Sequence, residues 1–396
     1  MINPNDIKTL AGKFLPDVVE VRRHMHAHPE LSFQEFETSA YIQSKLTEWG
    51  IPFKNNIVKT GIVATIEGKN PGSKTIALRA DIDALPIVEE NDVPYKSVNT
   101  GVMHACGHDA HTSSLLGAAR ILNTLKDNFD GTVRMLFQPG EERIPGGAKL
   151  MIEEGVLENP RPHSIIGQHV LPQLEAGKVG FKGGMFMASA DEIYVTVHGK
   201  GGHGAMPHLA IDPVLIAAHI VVTLQQVVSR RSNPLVPTVL TFGKVVANGS
   251  TNIIPNEVYM EGTFRTMNEE WRAKAHEIMK KTAETLAESM GATCEFKILK
   301  GYPFLVNDED LTERARIAAI EFLGSENVVE LESRMTAEDF AYYTQLMPAC
   351  FYRLGTGNVA RNITSGIHTP TFDIDESSLE TGMGLMAYLA VKELAL

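Results

Sequence analysis

Apolar residues recur three and four apart through residues 5–50. Val18, Val21 and Met25 share one helical face, and Tyr41, Ile42, Leu46 and Trp49 follow the same spacing. That period predicts helix, with Gly50 as its stop. From Ile51 the pattern changes to short apolar runs at residues 61–67, 75–80, 132–137 and 164–169, alternating with helical stretches at 113–126 and near 148–154. Such alternation predicts an α/β domain with a mostly parallel sheet covered by helices.

The rhythm changes again after the turn Lys182-Gly183-Gly184. The pattern reads as strand (192–198), helix (212–230), strand (238–246), strand (257–265), helix (269–290) and strand (293–299). This β-α-β-β-α-β order is the split βαβ, ferredoxin-like unit. A complete α+β unit in mid-chain predicts an inserted domain at 185–299, interrupting a discontinuous domain made of 1–184 and 300–396. The first helix of the insert keeps His219, Thr223, Gln226 and Arg230 on one narrow stripe. Its apolar surface is wider than one sheet covers, which fits either a well-buried helix or a subunit contact.

Composition narrows the function classes. The 396 residues carry 36 Lys and Arg against 48 Asp and Glu, a formal charge of −12, with no basic run to offset it. Binding to nucleic acid or to an anionic membrane is therefore disfavoured. With 43% hydrophobic and 21% charged residues the chain is expected to fold. The opening MINPNDIKTL lacks the basic and apolar pattern of a signal peptide, and the apolar stretch at 214–224 is interrupted by His219 and Thr223, short of the roughly 18 residues of a spanning helix. Three widely spaced cysteines do not suit a disulfide framework, so a reducing cytoplasm is expected.

Chemistry concentrates among the histidines, eight of which lie between His104 and His208. Asp81 and Asp83 follow one strand-like run, Glu141 and Glu142 another, and His169 ends a third. Cys106, His108, Asp109 and His111 lie just before a helix. Strand ends line the ligand crevice of an open α/β sheet, so these clusters can converge. A thiolate, imidazoles and carboxylates together suit zinc or another first-row divalent ion. Taken singly, each has a plainer explanation: a structural cysteine beside a core histidine, a solvated acidic turn, a hydrogen-bonded histidine, a capped turn.

The motifs LRADIDALP, HACGHDAH, FQPGEE, GKGGHGAMPH and GIHTP, in that family's order, resemble the M20 metallopeptidase and amidohydrolase family. The likeness is to its aminoacylase and hippurate-hydrolase-like branch, which includes auxin-conjugate hydrolases, and runs from about Arg22 to the C-terminus. It implies a zinc-peptidase-like catalytic domain interrupted by a ferredoxin-like lid and dimerisation domain. It implies that Cys106, His108, Glu142, His169 and His368 bind two divalent ions (Zn, Mn, Co or Ni), that Glu141 is the general acid/base, and that Asp83 orients a ligand. His203 is implied to reach the partner subunit's active site in a homodimer and hold the substrate carbonyl oxygen, while Asn252 and Arg265 contact the substrate carboxylate. Where the wider family carries a metal-binding histidine this chain has Asp81, whose role the resemblance leaves open.

The activity so implied is metal-dependent hydrolysis of N-acyl-L-amino acids to a carboxylic acid and a free amino acid. A dipeptidase or carboxypeptidase would use the same machinery. Two different readings are a thiol hydrolase with Cys106 as nucleophile, and a metal-binding protein without turnover. The lid is expected to close by hinging near residues 182–187 and 299–303.

Overall fold

A computed structural model describes residues 2–396. It divides into two compact units. The first comprises the described chain up to Phe186 with Val306–Glu332 and Asp339–Leu396, and the second Met187–Leu305 with Ser333–Glu338.

An eight-stranded sheet forms the first unit. Its strands run in the order Phe53–Ile57, Gly61–Glu67, Thr132–Gln138, Thr75–Asp81, Ser164–Glu175, Ala349–Gly357, Val179–Phe181 and Val328–Glu330. The four central strands, from Thr132–Gln138 to Ala349–Gly357, are mutually parallel. Three of them are buried throughout or nearly so, which is why they read as continuous apolar runs and not as alternation. Helices His108–Thr124 and Ser378–Leu394 pack on this sheet, Pro4–Ala27 packs against both of them, and all three contribute to one continuous core.

The helical reading of residues 5–50 misses a break. Helix Pro4–Ala27 and helix Phe36–Glu48 are separate. Pro29 lies between them, where its ring blocks continuation, and Phe33 adopts a left-handed backbone with φ 64°. The helix expected from 113 starts five residues earlier, at His108.

In the second unit an antiparallel sheet runs in the order Thr238–Val246, Glu257–Thr266, Asp191–His198, Thr293–Lys300, with helices Pro213–Gln226 and Glu269–Ser289. Strict alternation along Asp191–His198 turns Ile193, Val195 and Val197 into the core. Segment 333–338 joins this unit through a parallel bridge from Arg334 to Met187 and a bond from Ala188 N–H to the Thr336 carbonyl. Helix Pro213–Gln226 continues through a π turn, so Pro213–Arg231 spans 19 residues at mean hydropathy 1.3, long and apolar enough to cross a membrane. That corrects the shorter apolar stretch taken from the sequence. Ile216, Ala217, Ile220, Leu224 and Val227 bury one face in the unit's core, while Leu215 and Val222 are exposed.

One glycine fixes the turn that follows Thr132–Gln138. A Cβ on Gly147 would lie 1.6 Å from the Pro139 carbonyl oxygen, and Gly147 N–H bonds the Gly140 carbonyl at 3.0 Å. Gly147→Ala is expected to lower stability by about 1–3 kcal/mol, since backbone must move to admit the methyl. Urea unfolding of the two proteins, compared at equal slope, measures it.

Candidate metal centre

Register brings the first donors together. Asp81 pairs with Gln138, and Arg79 pairs with Gly167 two residues before His169, so Asp81, Gln138 and His169 stand at the same level of the sheet. Gly107 turns the chain into helix His108–Thr124 with φ 82°, and a Cβ there would meet Val170 Cγ2 at 2.6 Å. This close approach sets Cys106 Sγ 3.4 Å from His169 Nε2. His368 arrives on a separate loop, pinned by its N–H to the Ala105 carbonyl at 2.7 Å.

Three overlapping triads result. Cys106 with His108 and His169, Cys106 with Glu142 and His368, and His108 with Glu141 and Glu142 each place their ligand atoms within 4.8 Å of one another. Hydrogen bonds fix which nitrogens face inward. His108 donates from Nδ1 to Asp83 Oδ1 at 3.1 Å, and His169 donates from Nδ1 to the Val170 carbonyl at 2.8 Å. When neutral, each ring therefore keeps its Nε2 lone pair for the cluster. Buried His108 Nε2 and Glu142 Oε1, 3.8 Å apart, have no hydrogen-bond partner. Orphaned buried polar atoms cost about 1–3 kcal/mol each, and a divalent ion would satisfy both. The donor set fits such an ion.

Electrostatics point the same way. Burial alone would lower the His108 imidazole, but the carboxylates of Asp81, Asp83 and Glu142 raise it to about 10. Burial, reinforced by Glu142, Glu141 and Asp81, pushes the Cys106 thiol well up. Burial, with Arg353 and His111 nearby, holds His169 well below the usual imidazole range. Around His108 the pocket favours positive charge. Asp83 would be raised by burial, yet the bonds from His108, Ser32 and the Glu142 N–H keep it low.

Asp81 also borders the cluster: its Oδ2 lies 3.8 Å from His108 Nε2, and Asp81, His108 and His111 bring ligand atoms within 4.8 Å of one another. Val170 N–H donates to His111 Nε2 at 2.8 Å, so that ring carries its proton on Nδ1 and gives it to Asp81 Oδ1 at 2.6 Å. The other oxygen, Oδ2, accepts from Arg79 Nη1 at 2.6 Å. Both oxygens are thus engaged. The Val170 backbone is held on both sides: His111 accepts its N–H and His169 donates to its carbonyl.

Glu141 is buried. Its Oε1 accepts from Asp339 N–H at 3.3 Å, and its Oε2 lies 3.9 Å from His108 Nε2. The Asp339 carboxylate is gripped by Arg79 Nη2 at 2.7 Å, Gln138 Nε2 at 2.8 Å and Ala148 N–H at 2.9 Å. Below the helix start, Arg22 donates to Asp109 and Asp373, and His26 bonds the same Asp109 at 2.7 Å.

The remaining expected residues lie in the second unit. His203 and Asn252 meet in a small ribbon, where His203 pairs with Ile253 and Gly204 N–H donates to the Asn252 carbonyl. Arg265, on strand Glu257–Thr266, is half-buried and donates from Nε to Thr263 Oγ1 at 3.2 Å. Sequence reasoning did not name Arg79, Gln138 or Asp339. A charged Arg79 inside an apolar run was a usable signal, and Asp339 in MTAEDF offered none.

The chain matches the model of Peptidase family M20/M25/M40 over residues 77–392. It is 43% identical over 305 residues to an N-acyl-L-amino acid amidohydrolase of Geobacillus stearothermophilus, covering 77% of this chain and 82% of that protein. It is 38% identical over 392 residues to thermostable carboxypeptidase 2 of Saccharolobus solfataricus, covering 98% and 97%. Among solved structures it is similar to a Bacillus subtilis protein described as a dinuclear metal binding peptidase, with a TM-score of 0.82 and 39% identity over 97% of this chain and 99% of that one. The chain therefore belongs to Peptidase family M20/M25/M40, a family of hydrolases.

Proposed function

We propose that this protein hydrolyses the amide bond of N-acyl-L-amino acids, releasing a carboxylic acid and a free amino acid. The observation that supports the reading is that Cys106, His108, Glu142, His169 and His368 share overlapping donor triads, with Glu141 in a triad with His108 and Glu142. These five residues would hold two divalent ions, which when bound supply Lewis acidity toward a water and the scissile carbonyl. Asp83 orients His108, and the Asp339 N–H steadies Glu141 through Oε1. Glu141 Oε2 takes the water proton as hydroxyl adds to the carbonyl carbon, then gives it to the amine as the C–N bond breaks. The high, buried Cys106 thiol speaks against a free thiolate nucleophile.

The discontinuous domain carries this chemistry, and the insert at 185–299 serves as lid and dimerisation domain. In a homodimer His203 reaches the partner's site to hold the carbonyl oxygen, and Asn252 and Arg265 grip the substrate carboxylate, Arg265 by two hydrogen bonds. A cytoplasmic location suits the metal-binding thiol. The S. solfataricus relative's name supports a second reading, release of C-terminal residues from peptides or dipeptides by the same machinery.

A panel of N-acetyl, N-benzoyl and longer N-acyl amino acids plus dipeptides separates these readings. Turnover is expected to vanish after chelator dialysis and return with Zn, Mn, Co or Ni. Activity that survives the chelator and dies on thiol alkylation would instead make Cys106 the nucleophile. Glu141→Gln preserves shape and the acceptor for Asp339 N–H, so it is expected to lower kcat by about 10²–10⁴-fold while bound metal is unchanged. Paired kinetics and metal analysis check this.

A further inference from the structure

Glu35 is fully buried, and the mechanism above does not use it. It stands at the N-terminus of helix Phe36–Glu48, but its side chain does not cap that helix. It turns inward: Oε1 accepts Phe33 N–H at 2.8 Å and Gly140 N–H at 2.9 Å, and Oε2 accepts Thr60 Oγ1 at 2.8 Å. No ion pair reaches it among the described residues, and the charged group acting on it is another carboxylate, Asp83, beyond strand Thr75–Asp81. From the loop ahead of the helix and the turn between the first two strands, its partners are the neutral Phe33 amide and Thr60 hydroxyl. An uncompensated carboxylate is an expensive group to bury.

What it holds explains its position. Gly140 immediately precedes Glu141 and Glu142, and its φ of 62° leaves Phe33's ring so close that a Cβ on Gly140 would lie 2.4 Å from it. Residues 32–35 grip that turn at two points: Glu35 takes the Gly140 N–H, and Ser32 donates to the Asp83 oxygen that receives the Glu142 N–H. We propose that Glu35 is a positioning residue, whose carboxylate fixes the Gly140-Glu141-Glu142 turn so that Glu141 Oε2 and Glu142 Oε1 face the donor cluster. This rests on the reading of Glu141 as the base.

Burial, reinforced by Asp83, lifts the Glu35 carboxyl from 4.5 to about 7 despite its hydrogen bonds. Because the folded value lies above the unfolded one, the stability this group gives is full below about 4.5 and is lost as pH rises through about 7. Glutamine keeps the Oε1 acceptor and offers Thr60 an N–H, without the buried charge.

The test compares the full metal-loaded chain with Glu35→Gln and Glu35→Leu. Three quantities are read: kcat and KM for the best N-acyl amino acid, hydrogen–deuterium exchange of residues 138–146, and Tm at about pH 5.5 and about pH 8.5. The leucine variant is expected to lose about 30- to 100-fold in kcat with KM within about threefold, and to exchange faster in 138–146. The glutamine variant is expected to keep kcat within about threefold, retain protection and gain more in Tm at the higher pH. Wild-type kcat or exchange in the leucine variant overturns the proposal, as does a glutamine variant that falls equally far. Should the leucine variant fail to fold, the glutamine variant decides: a kcat loss beyond about tenfold, or no Tm gain, overturns it. Absence of amide hydrolysis in the wild-type protein sinks the proposed function, while the exchange readout still tests Glu35.

Discussion

The buried guanidinium of Arg79 ties the site together. It sits near the end of a central strand and reaches three groups from different parts of the chain: Gln138 through Nε at 2.9 Å, Asp81 through Nη1 and Asp339 through Nη2. Through Asp81 it orients His111, hence the Val170 backbone and, through the Val170 carbonyl, the His169 ring. Through Asp339 it steadies the amide that bonds Glu141. A planar cation with five donors in fixed directions can hold both branches at once, and lysine could not. Two anions buried beside it are tolerable because each is charge-paired and further hydrogen-bonded.

Much of this was legible in the sequence, for identifiable reasons. The parallel strands appeared as unbroken apolar runs because burial on two faces dictates that pattern, and the second sheet was read from the order of its strands and helices. Cys106, His108, Glu142 and His169 were candidates because metal donors are a restricted set of side chains, His368 came only from the family resemblance, and the structure brings their ligand atoms into overlapping triads. The loop between the first two helices was missed, since the apolar period continues across it. Pro29 was the available signal. That loop supplies Ser32 and Glu35, so their contacts were missed with it. Asp339 comes from a distant stretch with no local pattern, and its bonds depend on tertiary approach alone.

The site is also unbalanced in charge by design of its fold. Asp81 is paired with Arg79, but Asp83, Glu141 and Glu142 also gather within a few ångströms of His108, and the proton that His108 would hold helps compensate them. An ion on Nε2 offers the same compensation with greater charge. The unsatisfied Nε2 and Oε1 are then features of the site and not defects of packing.

The discontinuity of the first unit bears on how the chain comes to be folded during synthesis. Strand Ala349–Gly357 lies between Ser164–Glu175 and Val179–Phe181, so the large sheet stays open until the ribosome has made most of the polypeptide. The second unit is nearly contiguous and can form first, as domains tend to fold when they emerge. His368 comes later still. Until then Cys106 and His108 wait in an incomplete nest, with the last of the five candidate donors and the closing strand both unmade. An ion that needs all five candidate donors could therefore be held only once translation is almost over, when the chain has little opportunity left to settle around a wrongly placed one.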